Sequence, residues 1–128
     1  FNVKLTWENV HWAFYSEPEF AYYLLDNCTS DNVYFTLDIK QAMQAGHLAE
    51  EYIEATRGRI VNVHVCDYND TVLCLPGQGS FDFQSLFQNL KKIGYSGPVI
   101  EEVYCPDIKD DACLVASYDY LRALVSYI

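Results

Sequence analysis

The sequence predicts an α/β fold in which parallel strands alternate with helices. Short apolar runs alternate with helical stripes four times along the 128 residues. Each strand–helix unit takes about 30 residues, and the run at 60–65 is almost continuously apolar, as in strands covered on both faces. Such units form a parallel sheet through right-handed crossovers, so the period suits either a barrel or a doubly wound sheet.

Four strands and the helices between them follow from this pattern. The strands are predicted at residues 2–7, 33–37, 60–65 and 98–104. Helices are predicted at about 16–27, 39–45, 48–56, 82–94 and from 111 to the chain end. Ser16 and Glu19 form a capping-box pattern, Gly46 breaks the second helical stretch, and Asp82 is typical of a helix start.

Composition limits the classes of partner. The net charge of −10 disfavours nucleic acid, because phosphate binding depends on Lys and Arg. No apolar run approaches the roughly 18 residues of a membrane span, and no Gly-x-Gly-x-x-Gly motif follows a strand. The odd number of cysteines without a Cys-x-x-Cys pair favours reduced thiols in a cytoplasmic protein.

A metal-ligand type of residue stands at the carboxyl end of every predicted strand: Glu8, Asp38, His64 and Glu102. A single strand-end acid is more often a helix cap or a solvated charge, and a single histidine in a strand is more often a core residue. The recurrence on four strands favours a shared site, because parallel strand ends meet at one edge. Three carboxylates and an imidazole suit a divalent ion such as Mn²⁺, Mg²⁺, Co²⁺ or Zn²⁺.

These motifs resemble a known superfamily. Residues 5–9, 35–38 and 100–104, together with the His64-x-x-Asp67 motif and the Pro76–Gly79 turn, resemble strands five to eight of the sugar phosphate isomerase/epimerase group. That group belongs to the xylose isomerase-like TIM barrels, which also include AP endonuclease family 2. The resemblance implies that residues 1–128 are a single partial domain, the C-terminal half of a (β/α)8 barrel.

The resemblance also implies an activity. Glu8, Asp38, His64 and Glu102 match the metal ligands of the family, and Glu8 and Glu102 match its acid/base pair. The implied reaction is isomerisation or epimerisation of a sugar or sugar phosphate through a metal-stabilised enediolate. The chain departs from the family pattern at Gln41, where many members have histidine. That departure and the acidic charge argue against the multi-zinc site of the AP endonucleases.

Secondary site residues follow from their positions after the strands. His11, Trp12 and Lys40 are candidate substrate contacts, although Trp12 is equally suited to packing its loop and Lys40 to solvation. Asp67 is predicted either to orient His64 as a second-shell partner or to cap the following turn. Residues 76–79 either close over the pocket or only turn the chain.

The length is the main argument against a complete enzyme. A (β/α)8 barrel typically needs about 250 residues, so the chain is expected to be a fragment of a longer protein. Exposed sheet edges in such a fragment favour self-association. A non-catalytic barrel half used for binding or assembly is the alternative. It is supported by the short length and by Gln41 and Asn62, which stand where many members of the resembled family have histidine.

Overall fold

The computed structural model describes residues 3–70, 72–104, 108 and 110–126. The elements in chain order are β1 (Leu5–Glu8), α1 (Glu19–Asn27), β2 (Val33–Asp38), α2 (Ile39–Ala45), α3 (Ala49–Ala55), β3 (Ile60–Val65), β4 (Asp67–Asn69), β5 (Val72–Cys74), α4 (Phe83–Lys92), β6 (Val99–Glu101) and α5 (Asp111–Ser126). Within the described residues, no helix is both long and apolar enough to cross a membrane.

The main sheet has four parallel strands in the order β1-β2-β3-β6. The predicted α/β fold with a parallel sheet is therefore confirmed. Its register places Asp38 beside His64 and Val65 beside Glu101. The candidate ligands consequently lie together at the carboxyl edge of the sheet.

The hydrophobic core lies between the sheet and its helices. Phe35 and Leu37 of β2 and Val63 and Val65 of β3 are buried in it, packed with Tyr52 of α3. Burial of each such side chain stabilises the fold by about 1.5–3 kcal/mol. Side chains alternate along a strand, so the strand residues between these core positions point to the opposite face of the sheet. A functional site can form on that face.

Three local predictions differ from the structure. The capping box is wrong, because α1 begins at Glu19 after Pro18 without a side-chain cap. The carbonyl of Ser16 instead accepts a hydrogen bond from the Tyr52 hydroxyl, which ties this residue to α3. The predicted loop after β3 contains an antiparallel hairpin of β4 and β5. The last strand is shorter than predicted and ends at Glu101, although the Glu102 N–H still bonds to the Val65 carbonyl.

A histidine joins the segment before α1 to the start of α3. Nε2 of His47 lies 2.7 Å from Glu17 Oε2, and its Nδ1 lies 3.3 Å from Glu51 Oε2. The hydrogen bond with Glu17 raises the pKa of His47 above its ordinary value. The resulting stabilisation is complete below the unfolded pKa of about 6.5 and is lost as pH rises through the folded pKa.

We expect the His47→Gln variant to lose this pH-dependent contribution, which is below about 1 kcal/mol because the contact is largely exposed. Urea unfolding of both proteins at pH 6 and pH 8 measures it. The variant should lose more stability relative to the wild-type protein at pH 6 than at pH 8. An equal difference at both pH values would contradict the assignment.

Candidate metal and active site

Four side chains converge at the carboxyl edge of the sheet. One ligand atom each from Glu8, Asp38, His64 and Glu102 lies within 4.8 Å of all the others. His64 Nδ1 is 2.5 Å from Glu102 Oε2 and 3.4 Å from Glu8 Oε1. Ligand atoms around one divalent ion with bonds of about 2.2 Å are separated by roughly 3–4.5 Å. The His64–Glu8 separation lies in that range, whereas the 2.5 Å between His64 and Glu102 is a hydrogen-bond distance that would have to lengthen around an ion.

Asp38 caps a helix and also contributes an oxygen to the cluster. Its Oδ1 accepts a hydrogen bond of 3.0 Å from the Gln41 N–H and so caps α2. Its Oδ2 is buried and meets no hydrogen-bond geometry, although Lys40 Nζ lies 3.5 Å away. His64 Nδ1 is also buried and lies 2.5 Å from Glu102 Oε2. Buried charged groups are costly unless they are paired, and a divalent cation would add to the pairing that Lys40 gives Asp38.

Asn9 holds the ends of β1 and β2 together. Its side-chain oxygen accepts from the Asp38 N–H at 2.8 Å, and its amide nitrogen donates to the Asp38 carbonyl at 2.9 Å. The sequence pattern predicted no role for Asn9. The sequence feature that could have indicated this role is an asparagine directly after a strand-end acid. A buried asparagine side chain needs several hydrogen-bond partners, and the backbone of Asp38 supplies two of them.

The surroundings shift the carboxyl pKa values in different directions. Burial raises the pKa of Glu8, although His64 opposes this effect. Burial also raises the pKa of Asp38, against the Gln41 amide and Lys40. Burial alone would raise the pKa of Glu102 as well, but the Tyr104 hydroxyl, Lys40 and His64 together lower it. The two glutamates therefore differ in their readiness to hold a proton.

Lys40 is part of the cluster. It is only 5% exposed, and its Nζ lies 3.5 Å from Asp38 Oδ2 and 3.6 Å from Glu102 Oε1. Nζ also lies 4.6 Å from the centre of the Tyr104 ring. The solvated alternative for Lys40 is therefore wrong, because its ammonium is held among the ligand carboxylates.

His11 and Trp12 lie in the loop after β1. The His11 N–H donates to Gln41 Oε1 at 3.1 Å, and its Nδ1 lies 2.7 Å from the same oxygen. Trp12 is 77% exposed, so it does not pack its own loop tightly. The contact of either residue with a substrate stays a prediction.

Asp67 does not contact His64, so the prediction that it orients this histidine is wrong. Its buried carboxylate accepts four backbone N–H bonds, from Tyr68, Gly77, Gly79 and Phe81, at 2.8–3.0 Å. Both ring nitrogens of His64 face other groups, with Nε2 lying 2.8 Å from the Asn62 amide. Asp67 instead organises the turn at 76–79, as its capping alternative predicted.

The turn at 76–79 is anchored on two sides. Asp67 binds it from the hairpin, and the Ser117 hydroxyl of α5 donates to the Pro76 carbonyl at 3.1 Å. Cys66, next to Asp67, is buried, and burial raises the pKa of its thiol to about 12. Its thiol is therefore a packing group rather than a nucleophile. Cys105, the cysteine that follows the last predicted strand, lies outside the described residues.

Comparison with known proteins agrees with this architecture. The sequence profile of the xylose isomerase-like TIM barrel family matches residues 1–124. The L-ribulose-5-phosphate 3-epimerase UlaE of Escherichia coli (strain K12 / DH10B) is 38% identical over 74 residues, which is 56% of this chain and 26% of the relative.

Two solved structures have similar folds. A D-tagatose 3-epimerase-like protein has a TM-score of 0.75 and 26% identity, and the match covers 97% of this chain and 47% of that protein. The IOLI protein, whose structure has a bound zinc atom, has a TM-score of 0.75 at 23% identity, with 97% and 49% coverage. The chain thus spans about half of each structure. It belongs to the xylose isomerase-like TIM barrel family, as an α/β fold whose four parallel strands correspond to part of such a barrel.

Proposed function

We propose that this chain carries the metal site and the proton-transfer groups of a divalent-metal-dependent sugar or sugar-phosphate isomerase/epimerase. The observation that carries the proposal is the convergence of Glu8, Asp38, His64 and Glu102 within 4.8 Å. Sugar epimerases among the relatives support the substrate class. In this proposal residues 1–128 form one partial domain, strands five to eight of the family barrel, and belong to a longer protein.

The four ligands would hold one divalent cation. Carboxylate oxygens and one imidazole favour Mn²⁺, with Mg²⁺, Co²⁺ and Zn²⁺ as the other candidates. A cation there would supply Lewis-acid polarisation of the substrate carbonyl. Asp38 Oδ2, which is buried and has only the 3.5 Å ion pair with Lys40, is the atom of this chain best prepared to receive it.

Glu8 and Glu102 are the proposed proton-transfer pair. They stand at the two edge strands of the sheet, and each approaches His64 Nδ1 from its own side. One carboxylate takes the proton from the carbon beside the carbonyl, and the bonding electrons move to the carbonyl oxygen to give an enediolate. The other carboxyl group returns a proton to the opposite face, which inverts that carbon.

The surrounding residues receive supporting roles. His11, Trp12 and Lys40 are proposed substrate contacts, and the exposed Trp12 ring suits stacking on the apolar face of a sugar. The acidic charge supports a small-molecule partner rather than nucleic acid or membrane, and the thiols support a cytoplasmic location. The exposed Leu5 on β1 and Ile100 on β6 support self-association through the sheet edges.

Metal titration tests the proposal. We expect calorimetry of the chelator-treated protein to show one Mn²⁺ bound per chain. Asp38→Asn should weaken that affinity about 100-fold, because it removes a charged ligand, whereas Asp26→Asn on the exposed face of α1 should not change it. Absence of stoichiometric Mn²⁺ binding would contradict the proposed site.

A non-catalytic barrel half for binding or assembly is the second candidate. The match to only about half of each solved structure favours it, as does Gln41, whose side chain is occupied by His11. This candidate predicts no Mn²⁺ binding. The same titration therefore separates the two functions.

A further inference from the structure

We propose that Lys40 is a built-in counter-cation of the ligand cluster, which holds Asp38 and Glu102 together without metal and weakens the hold on a divalent ion. This inference rests on the proposed function, because it concerns the same four ligands. It assigns Lys40 a role in metal affinity that is separate from substrate contact.

The burial of Lys40 is the first argument. Lysine is almost never fully buried unless it is paired, and the Lys40 side chain is nearly inaccessible. Its ammonium lies between two carboxylates that the cluster would otherwise present to a cation, Asp38 at 3.5 Å and Glu102 at 3.6 Å. An ammonium ion in this place occupies the same negative field that a metal would use.

Tyr104 fixes this arrangement. Its hydroxyl donates to Glu102 Oε1 at 2.8 Å, the same oxygen that Lys40 approaches, and its ring lies under the Lys40 ammonium. The other oxygen, Oε2, faces His64. One oxygen of Glu102 is thus engaged by Lys40 and Tyr104, and the other is left for the site.

Charge determines the direction of the effect. Glu8, Asp38 and Glu102 carry three negative charges, which Lys40 reduces by one. A divalent ion held by the same carboxylates would be close to Nζ, and like charges at short distances repel even in a polar environment. Removing the ammonium should therefore strengthen metal binding by about tenfold or more, while the metal-free protein loses its compensating charge.

The test compares Lys40→Met with Lys4→Met. Lys4 is the control because its ammonium also lies over a tyrosine ring, 4.7 Å from the centre of Tyr34 in β2. Unlike Lys40, it makes no ion pair with the candidate ligands in the described residues. Lys40→Gln is a second uncharged variant in case the methionine variant does not fold. Calorimetry measures the Mn²⁺ dissociation constant, and thermal unfolding is followed with chelator and with saturating Mn²⁺.

We expect both Lys40 variants to bind Mn²⁺ about tenfold more tightly than the wild-type protein. In chelator their Tm should fall by about 5 °C, and saturating Mn²⁺ should close or reverse that difference. Lys4→Met should match the wild-type dissociation constant.

Two outcomes would overturn the inference alone. One is unchanged or weaker Mn²⁺ binding by the Lys40 variants beside normal binding by the wild-type protein. The other is an equal loss in Tm with and without Mn²⁺, which would mean that Lys40 only packs. Absence of Mn²⁺ binding by wild-type and variant proteins alike would remove the proposed function together with this inference, so the two failures are distinguishable.

Discussion

Glu102→Gln is expected to lower the exchange of a sugar α-proton with solvent by at least about 10³-fold, because a neutral amide cannot act as a general base or acid. The glutamine keeps the size of the side chain and an oxygen that can still face the cation. The loss should therefore persist at saturating Mn²⁺. Deuterium incorporation into L-ribulose 5-phosphate and D-tagatose, followed by NMR, measures the rate.

Glu101→Gln is the matched control for this prediction. Glu101 is the preceding residue and undergoes the same chemical change, but its side chain faces Ser117 of α5 on the helical side of the sheet. It should retain exchange. Glu8→Gln should lose exchange as Glu102→Gln does. Undiminished exchange in the Glu102 variant with Mn²⁺ bound would rule out its proposed role.

Asp67→Ala is expected to produce the largest loss of stability, about 3–5 kcal/mol. The Asp67 carboxylate is 1% exposed and accepts four backbone N–H bonds. Alanine would remove the acceptor of all four donors, and bonds to a charged acceptor are each worth about 1.5–3 kcal/mol. The expected loss is smaller than their sum because Gly77 and Gly79 are exposed, so water can replace part of the lost bonding. Urea unfolding, with the slope compared to the wild-type slope, measures the change.

Asp82→Ala provides the control for this second prediction. Asp82 also accepts a backbone N–H, from Ser85 at 2.9 Å, but it makes one such bond at an exposed helix start. Its loss should cost about 1 kcal/mol. Equal destabilisation by both variants would show that the turn at 76–79 re-forms its hydrogen bonds without Asp67.

The convergence of the four candidate ligands was predictable because two simple rules act together. Parallel strands bring their carboxyl ends to one edge, and a ligand-type residue recurs at that edge on all four strands. Asp38 also caps α2 through Oδ1, as the helix-cap alternative predicted, while its Oδ2 belongs to the cluster and lies 3.5 Å from Lys40. A residue at a strand end can therefore cap a helix and take part in a side-chain cluster at once.

The partners of Asp67 and Lys40 were not predictable in the same way. Asp67 follows His64 by three residues, and that spacing suggested a contact that the structure does not contain. The reversal of the chain at the hairpin of β4 and β5 brings residues 77–81 onto the Asp67 carboxylate instead. Lys40 is polar in sequence, but the start of α2 points it between Asp38 and Glu102.

By itself, the sequence determined the order of strands and helices, the parallel sheet and the edge at which Glu8, Asp38, His64 and Glu102 would lie. These properties follow from local periodicity and from the geometry of parallel strands. Only the tertiary structure decided which atoms meet: Asn9 bracketing Asp38, Lys40 among the carboxylates, and Asp67 under the turn at 76–79. Such contacts join residues distant in the chain, and packing selects them rather than local preference.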